Sequence, residues 1–576
     1  MHAAMLAAQV LYVHLPDSPQ ILTAFDTAIQ LISQIASLDQ TVVNRHRRLQ
    51  RISGFPSQAA ASGCSLGRVD KALEWLEQSR CLVWTQLNNL RTQLIDLRTY
   101  DENLAQRVLL ASRRLENAGS RRGISDIKNS ISDKISAEDE ARAHLELSKE
   151  WEKLLSTVRS TVPGFENFLR PSPCSILLQH LPDSGPIVVI NVHEERCDAI
   201  ALLAGLDEPF HIPLPNFSRQ KASTYSNELI DRLKLKELRM RAVSADIVEE
   251  ENAEVEQTER GMRPSVRKQL RHEIVCNILG ALWREVVKPV LDALGFPQQR
   301  LQSSSNEALP RIWWCPTGPA SFLPLHAAGI YAGKDEDSIL NYAVSSYTPS
   351  ITLLADRVKN DRPIDPTVSG LFLTSQPNAP GFSPIPGTIK EVVSIHKLAE
   401  EHGVRVMKFE GSIVTVDTAL EYMEEFSCIH LACHASQDQK DPLKSRFRLH
   451  NGSLDLSTII QKNLKNADLA FLSACETSAG EERISEEVVH LAAGMLAAGY
   501  RRVVATMWAI GDRHAPEVAR DFYDYLLARQ VEAASSGLDG SDSAHALHHA
   551  IQKLRQKLDN SERSLLAWIP YVHFGF

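Results

Sequence analysis

Two short apolar runs in this sequence each carry a residue type that can do chemistry. The run Ile429–Ala435 contains His434, and the run Leu469–Thr477 contains Cys475. The segment between them has a turn sequence and helix-like apolar spacing, which predicts a strand–crossover–strand unit with parallel strands. In open parallel sheets, chemistry lies beyond the carboxyl ends of the strands, and neighbouring strands are about 4.8 Å apart. An imidazole and a thiol can meet at such an edge, as nucleophilic acyl transfer requires.

Both residues also have a simpler interpretation. A buried cysteine, or a histidine in an apolar strand, is usually part of a core. A metal site is another alternative, because Cys428, His430, Cys433 and His434 lie close together in the sequence. Strand geometry argues against it, since His430 and His434 would be about 13 Å apart on one face while Cys433 points to the other. One zinc ion cannot collect such ligands, so we expect no metal.

The same two runs resemble the signature strands of the CHAT family, caspase-like domains often found behind tetratricopeptide repeats. The sequences concerned are Leu431–Ala435 (LACHA) and Leu472–Ser478 (LSACETS). Four further stretches are similar to the family, namely Pro316–Gly329, Leu491–Gly499, Val503–Asp512 and Trp568–Gly575. The resemblance covers roughly residues 270–576, with a fainter match from about residue 166.

This resemblance implies a cysteine endopeptidase that cleaves a protein or peptide substrate with a His/Cys dyad. Cys475 would be the nucleophile that forms the acyl-enzyme, and His434 would be the general base and then the general acid. The resemblance also implies an oxyanion hole made by the backbone N–H groups of Ala435 and Cys475. It requires no metal, nucleotide or other cofactor.

By the same resemblance, the pocket for the residue before the scissile bond lies beside the nucleophile and after the next strand. Glu476, Trp508 and Asp512 occupy those places. The indole can supply an apolar wall, and the two carboxylates can supply negative charge that favours arginine or lysine in the substrate. The alternative is that Asp512 caps the helix near Ala515 and that Glu476 pairs within the scaffold.

The sequence departs from the family pattern at two positions. Ala435 and Ser478 stand where the family usually has glycine. Alanine keeps the backbone N–H but resists positive φ, so a turn that needs positive φ would be strained there. These departures keep a second hypothesis open, in which a catalytically weak or inactive CHAT module acts as a signalling or protein-interaction scaffold.

Composition narrows the class of protein. A chain of 576 residues suits two or three domains, and its 43% hydrophobic and 23% charged residues are ordinary globular values. The net charge of −9 argues against a nucleic-acid binder. The nine cysteines are scattered and odd in number, which fits a reducing compartment such as the cytoplasm. No apolar run reaches the length of about 18 residues typical of a membrane span, and the apolar start lacks the basic residues of a secretory signal.

Helical patterns dominate residues 1–165. Leucine spacing predicts one long helix from Leu73 to Leu97, and a second, charged helix is predicted from Ala137 to Val158. No period of about 34 residues repeats, so the region is a remnant or cap of a tetratricopeptide array, or else a plain helical bundle. We expect any regulatory protein to bind through it.

A proline-rich boundary near residue 165 separates this region from two further parts. Residues 166–365 are predicted to be the N-terminal part of the CHAT domain, with a charged insertion at about 228–272. Residues 366–576 are predicted to be the caspase-like catalytic core. Strand–helix alternation there predicts an α/β domain with a mostly parallel, doubly wound sheet, preceded by the all-α helical region. Such sheets also host nucleotide binders, but no glycine-rich phosphate motif follows any of the predicted strands.

Overall fold

The structure of the chain is a computed structural model. It describes residues 2–35, 42–80, 82, 86, 95–119, 131–236, 274–298, 309–331, 336–361, 363–438, 441–462, 464, 466–474, 491–532 and 537–576.

Helices occupy the first part of the chain, as predicted. Their bounds are His2–His14 (α1), Gln20–Ile35 (α2), Val42–Gln50 (α3), Phe55–Ser65 (α4), Val69–Ser79 (α5), Ile95–Tyr100 (α6), Glu102–Gly119 (α7) and Ile131–Thr161 (α8). The prediction of one helix from Leu73 to Leu97 is wrong, because α5 ends at Ser79 and Arg80 has an extended backbone. Most of the remaining stretch lies outside the described residues.

Strands follow from residue 187 onward. Their bounds are Ile187–Val192 (β1), Cys197–Leu202 (β2), Phe210–Pro213 (β3), Arg311–Pro316 (β4), Gly329–Ile330 (β5), Asp337–Ser338 (β6), Val344–Tyr347 (β7), Leu371–Ser375 (β8), Val406–Glu410 (β9), Cys428–Ala432 (β10), His434–Ser436 (β11), Arg446–Leu449 (β12), Gly452–Asp455 (β13), Leu469–Ser473 (β14), Arg502–Thr506 (β15) and Tyr571–Gly575 (β16). Eight of these sixteen strands are buried at every residue, as expected of a sheet covered on both faces.

Eleven of the described strands form one large sheet in the order β3-β2-β1-β4-β7-β16-β15-β14-β10-β8-β9. Strands β15, β14, β10, β8 and β9 are parallel to one another, and β1, β4, β7 and β16 form a second parallel set. The two sets run in opposite directions because β16 pairs with β15 in antiparallel fashion. The predicted fold class, an all-α region followed by an α/β domain with a mostly parallel sheet, is confirmed.

The helices of the second part begin with one that precedes β1, and the others lie between strands along the chain. Their bounds are Cys174–Leu177 (α9), Arg219–Leu235 (α10), Ile274–Leu282 (α11), Lys288–Ala293 (α12), Ile351–Lys359 (α13), Gly387–Glu401 (α14), Val416–Glu425 (α15), Leu456–Gln461 (α16), Leu491–Ala498 (α17), Ala515–Glu532 (α18), Ser543–Lys557 (α19) and Glu562–Trp568 (α20). Ser218, Ser350, Thr415 and Ser561 cap the helices that follow them, since each side chain accepts a hydrogen bond from a backbone N–H of the first turn.

These bounds bear on two stretches that the sequence analysis singled out. The insertion placed at about 228–272 begins inside α10, which extends to Leu235, and residues 237–273 lie outside the described residues. The family-like stretch Trp568–Gly575 is divided between two elements, since Trp568 ends α20 and β16 begins at Tyr571.

The helical region contributes to three buried clusters, the largest of which contains Phe25 and Trp75 together with residues of the large sheet. Helices α6–α8 pack on one another around Leu104, Trp151 and Leu154. Helices α4 and α5 instead pack against the large sheet, where Leu73 and Leu76 of α5 share a buried cluster with strand residues such as Trp313. The predicted boundary near residue 165 therefore does not coincide with a gap between cores.

Polar contacts strengthen the attachment of α5 to the sheet. The Arg80 guanidinium is 1% exposed, and its Nη2 donates to the Pro316 carbonyl oxygen at 2.9 Å. Glu77 accepts hydrogen bonds from the backbone N–H groups of Ile351 and Thr352, at 3.1 and 2.9 Å. These bonds place a carboxylate of the helical region at the N-terminus of α13, where negative charge is favourable.

None of the described helices combines the length and apolar character that crossing a bilayer requires.

Candidate active site

Strands β10 and β14 lie side by side and parallel, as the sequence predicted. Their register pairs Ala432 with Ser473. His434 stands two positions beyond Ala432, and Cys475 stands two positions beyond Ser473, so both follow the same end of neighbouring strands. Cys475 and Glu476 lie outside the described residues, and their roles stay predictions.

The chain leaves the large sheet immediately before His434. The backbone N–H of Cys433 donates to the Ser473 carbonyl oxygen at 3.3 Å, and β11 then begins. Strand β11 belongs to a separate three-stranded antiparallel sheet with β12 and β13, in which His434 lies opposite Arg448. The prediction of a single strand over 429–435 is wrong at this point, because the chain breaks at Cys433 and pairs with the second sheet instead.

The imidazole of His434 is held by two neighbours from the loop between β8 and α14. It stacks on the ring of Phe382, with ring centroids 5.0 Å apart and an interplanar angle of 26°. Its Nε2 lies 2.8 Å from the Ser383 carbonyl oxygen. A carbonyl oxygen only accepts, so Nε2 carries the hydrogen, and Nδ1 is the unprotonated nitrogen of the neutral ring. The arrangement leaves Nδ1 able to accept a proton.

Ala435 has an ordinary strand conformation. It lies in β11 opposite Phe447, and the one non-glycine residue with positive φ in the described part of the chain is Leu169. Glycine is therefore not required by the backbone after His434. The departure from the family pattern at Ala435 brings no strain, although the role of its N–H in an oxyanion hole stays a prediction.

The end of β14 is fixed by a side chain from the neighbouring strand. Thr506 Oγ1 of β15 donates to the carbonyl oxygen of Ala474 at 2.5 Å, and Ala474 is buried. Ala474 is the residue directly before Cys475. The point from which the chain enters the segment 475–490 is thus anchored to the sheet.

The two described residues predicted to bind substrate have different surroundings. Trp508 is 2% exposed, and its Nε1 donates to the Leu566 carbonyl oxygen at 3.3 Å, so the indole lies in the core beside α20. Asp512 is exposed, and its Oδ2 accepts from the backbone N–H of Gly387 at 2.8 Å. Asp512 thus caps α14 rather than the helix near Ala515. Substrate binding by either residue stays a prediction.

One group of side chains in the described chain has the composition of a metal site. Cys64, Asp198 and His211 each bring a ligand atom within 4.8 Å of the others. However, Arg196 donates to both carboxylate oxygens of Asp198, at 2.6 and 2.8 Å, and already balances its charge. Burial also raises the pKa of the Cys64 thiol to about 12, which opposes the thiolate that a metal needs. We assign no metal to this group.

Sequence reasoning missed the loop 376–386, which supplies Phe382 and Ser383. It contains four prolines and no motif, so it reads only as a connection. Its position in the sequence could have indicated a role in the site, because the loop follows the carboxyl end of β8, which lies next to β10 in the sheet. Loops at that edge are where residues of a site collect.

Comparison with known proteins gives a family and a set of solved structures. A search of curated proteins finds no match. The structure of the Arg-specific cysteine proteinase gingipain R is similar at 12% identity, with 51% of this chain and 68% of that chain covered and a TM-score of 0.34. The complex of Porphyromonas gingivalis RgpB pro- and mature domains is also 12% identical, with 61% and 76% covered and the same TM-score. The Saccharomyces cerevisiae separase–securin complex is 10% identical with a TM-score of 0.43, and the alignment covers 99% of this chain but 43% of that chain.

The family model named CHAT domain matches residues 277–576. The match takes in the strand that leads to His434, the strand that leads to Cys475 and the rest of the parallel set around them. Because it spans more than half of the sequence, the chain belongs to the CHAT family.

Proposed function

We propose that this protein is a cysteine endopeptidase with Cys475 as nucleophile and His434 as general base. The observation that carries the proposal is the state of the His434 imidazole. Its Nε2–H donates to the Ser383 carbonyl oxygen, so Nδ1 is the nitrogen that can accept a proton. His434 follows β10, which pairs with β14, the strand that leads to Cys475.

The proposed reaction has two halves. In the first, the Cys475 thiol gives its proton to Nδ1 of His434, and the thiolate attacks the carbonyl carbon of the scissile peptide bond. The N–H groups of Ala435 and Cys475 are the proposed donors to the resulting oxyanion. The C–N bond then breaks as the imidazolium protonates the leaving amine. In the second half, a water molecule gives a proton to His434 and attacks the thioester carbonyl carbon. The C–S bond then breaks, the acid is released, and the Cys475 thiolate takes the proton from the imidazolium.

The test of this proposal is the reactivity of Cys475. An imidazolium beside a thiol lowers its pKa and makes it react at neutral pH. We expect iodoacetamide to label Cys475 faster than the other cysteines, and His434→Ala to remove that advantage. Equal rates at Cys475 and at the partly buried Cys276 would contradict the dyad and favour a scaffold without catalysis.

For substrate choice, we propose that cleavage follows arginine or lysine in preference to aspartate. Glu476 and Asp512 are the proposed negative groups, and a hydrogen bond to a charged group is worth roughly tenfold in affinity or more. A peptide library should show the basic preference in wild type and a loss of about tenfold in Glu476→Gln or Asp512→Asn. Cleavage after aspartate, or a basic preference untouched by both substitutions, would remove these residues from the pocket.

Regulation by a protein bound to the helical region is a further part of the proposal. Glu77 of α5 binds the start of α13, and Arg357 of α13 donates to the Leu496 carbonyl oxygen of α17 at 2.8 Å. Helix α17 is the element that follows the segment containing Cys475. We therefore infer that a partner that displaces α5 also shifts α17.

The regulatory route can be tested in the full chain. Glu77→Ala should change kcat by about twofold to thirtyfold, the range expected for residues along a coupling route. Glu74→Ala is the matched control, because Glu74 also lies on α5 but accepts from the Cys174 backbone N–H and reaches α9 instead. The same kcat change in both variants would mean that any loosening of α5 alters kcat, and that the contacts from α5 through α13 to α17 have no special role.

A further inference from the structure

We propose that Asp512 is a positioning residue for His434. Its carboxylate fixes the start of α14 and, through it, the loop 376–386 whose Phe382 and Ser383 hold the imidazole. The inference rests on the proposed function, since it assigns to Asp512 a role in the geometry of the same site. That role is separate from any contact of Asp512 with substrate.

Loop 376–386 is exposed along much of its length, so its shape depends on a few anchors. At its start, the Gln376 backbone N–H donates to the Ala432 carbonyl oxygen at 2.8 Å, and the Gln376 side chain accepts from the His450 backbone N–H at 2.8 Å. Across the loop, the Ile385 N–H donates to the Pro377 carbonyl oxygen at 2.9 Å. The start of the loop is thus tied to β10 and to the β12–β13 hairpin.

Two contacts hold the end of the loop: Thr388 Oγ1 donates to the Ile385 carbonyl oxygen at 2.7 Å, and Asp512 binds the first residue of α14. Helix α14 begins after Pro386, which has no side-chain group to cap it. The cap comes instead from Asp512 Oδ2, which accepts from the Gly387 N–H at 2.8 Å although the two residues are 125 positions apart. A carboxylate there satisfies one of the free N–H groups of the first turn and interacts favourably with the helix dipole.

Gly387 is the residue type that allows this contact. A Cβ at position 387 would lie 2.4 Å from the backbone oxygen and from Oδ1 of Asp512, closer than real contacts allow. Any other residue would push the segment containing Asp512 away from the helix. The contact therefore depends both on the carboxylate of Asp512 and on the absence of a side chain at Gly387.

The rest of α14 is fixed independently of Asp512. Glu391, one turn into the helix, is buried and lies 3.0 Å from Nε2 of the buried His430 on β10. Losing the cap should therefore loosen the first turn and the loop before it, while the helix keeps its place on the sheet. Ser383 lies four positions before Gly387, so the loosened part includes the carbonyl that holds His434.

The experiment compares three variants of the full chain, Gly387→Ala, Asp512→Ala and Asp512→Asn. Ser218→Ala is the matched control, since it removes a helix cap of similar kind at α10. Three quantities are measured: the protonated nitrogen of His434 by ¹⁵N NMR, the pH dependence of Cys475 alkylation, and kcat on peptides with a basic or a neutral residue before the scissile bond. Thermal unfolding of each variant shows whether it is folded.

The proposal predicts a fixed Nε2–H form of His434 in wild type and a mixture of both neutral forms in Gly387→Ala and Asp512→Ala. These two variants should also lose about tenfold to a hundredfold in kcat on both kinds of peptide, because small displacements of a catalytic group have effects of that size. Asp512→Asn keeps an oxygen that can cap the helix, so it should retain the Nε2–H form of His434. Ser218→Ala should behave like wild type.

The outcomes separate this inference from the proposed function. An unchanged His434 signal in folded Gly387→Ala and Asp512→Ala would overturn the positioning role, whatever the activity. A lowered kcat confined to basic peptides would also overturn it, since it would show that Asp512 acts on substrate alone. If instead Cys475 shows no selective alkylation in wild type, the proposed function fails, while the NMR comparison still decides whether Asp512 positions His434.

Discussion

Cys475→Ala should lower kcat/KM for peptide hydrolysis by about a thousandfold or more, because it removes the nucleophile of the proposed dyad. His434→Ala should cost about a hundredfold to ten-thousandfold, the range for loss of a general base. The double variant should be little worse than Cys475→Ala, because groups that act as a unit are not additive. The measurement is hydrolysis of a peptide with a basic residue before the scissile bond, at neutral pH.

Alkylation provides the internal control for this prediction. Burial raises the pKa of the Cys174 thiol to about 12 and that of the Cys197 thiol to about 11, so these groups should react slowly on any model of the site. Cys276→Ala should leave hydrolysis unchanged. Hydrolysis that survives Cys475→Ala would assign the activity to another group and refute the dyad.

Leu76→Ala should lower the free energy of unfolding by about 2–5 kcal/mol, the usual cost of a cavity of this size in a core. Leu76 is fully buried in the cluster that includes Ile200 and Trp313 of the large sheet, although it lies well before the part of the chain that matches the family. Chemical denaturation, followed by the fluorescence of the buried tryptophans, would measure the change.

The matched control is Leu154→Ala in the separate core of α6–α8. It should destabilise those helices and leave the unfolding of the sheet nearly unchanged. A chain that begins near residue 166 would lack α4 and α5 altogether, so it should show no cooperative unfolding. A stable fold for that shortened chain would mean that the contacts of α5 are dispensable.

The pairing of β10 with β14 could be predicted from the sequence, because it depends on local features. Each strand is a short apolar run, and the crossover between them has a recognisable turn. The break at Cys433 could not be predicted, because it depends on the small sheet of β11–β13, whose partner strands are short and mixed in character. A pattern that reads as one strand cannot reveal a change of partner in its middle.

The contacts of His434 were beyond sequence reasoning for a related reason. Ser383 holds the imidazole through its backbone carbonyl, which every residue type possesses. The end of α5 is similar, since leucines continue at helical spacing past Ser79, but Arg80 is drawn into a buried contact with β4. In each case a bond between distant parts of the chain decides the local structure.

The position of β16 in the middle of the large sheet has a consequence for how the protein is made. Synthesis proceeds from the amino end, so β7 and β15 both leave the ribosome before the strand that lies between them. Until β16 arrives, each of the two half-sheets has an open edge with unpaired backbone groups, and such edges can pair with other chains. Pairing between distant parts of a chain is also slow. In the interval between the emergence of β15 and that of β16, both of these edges are therefore open, and a chaperone that covers them would protect the nascent chain from aggregation.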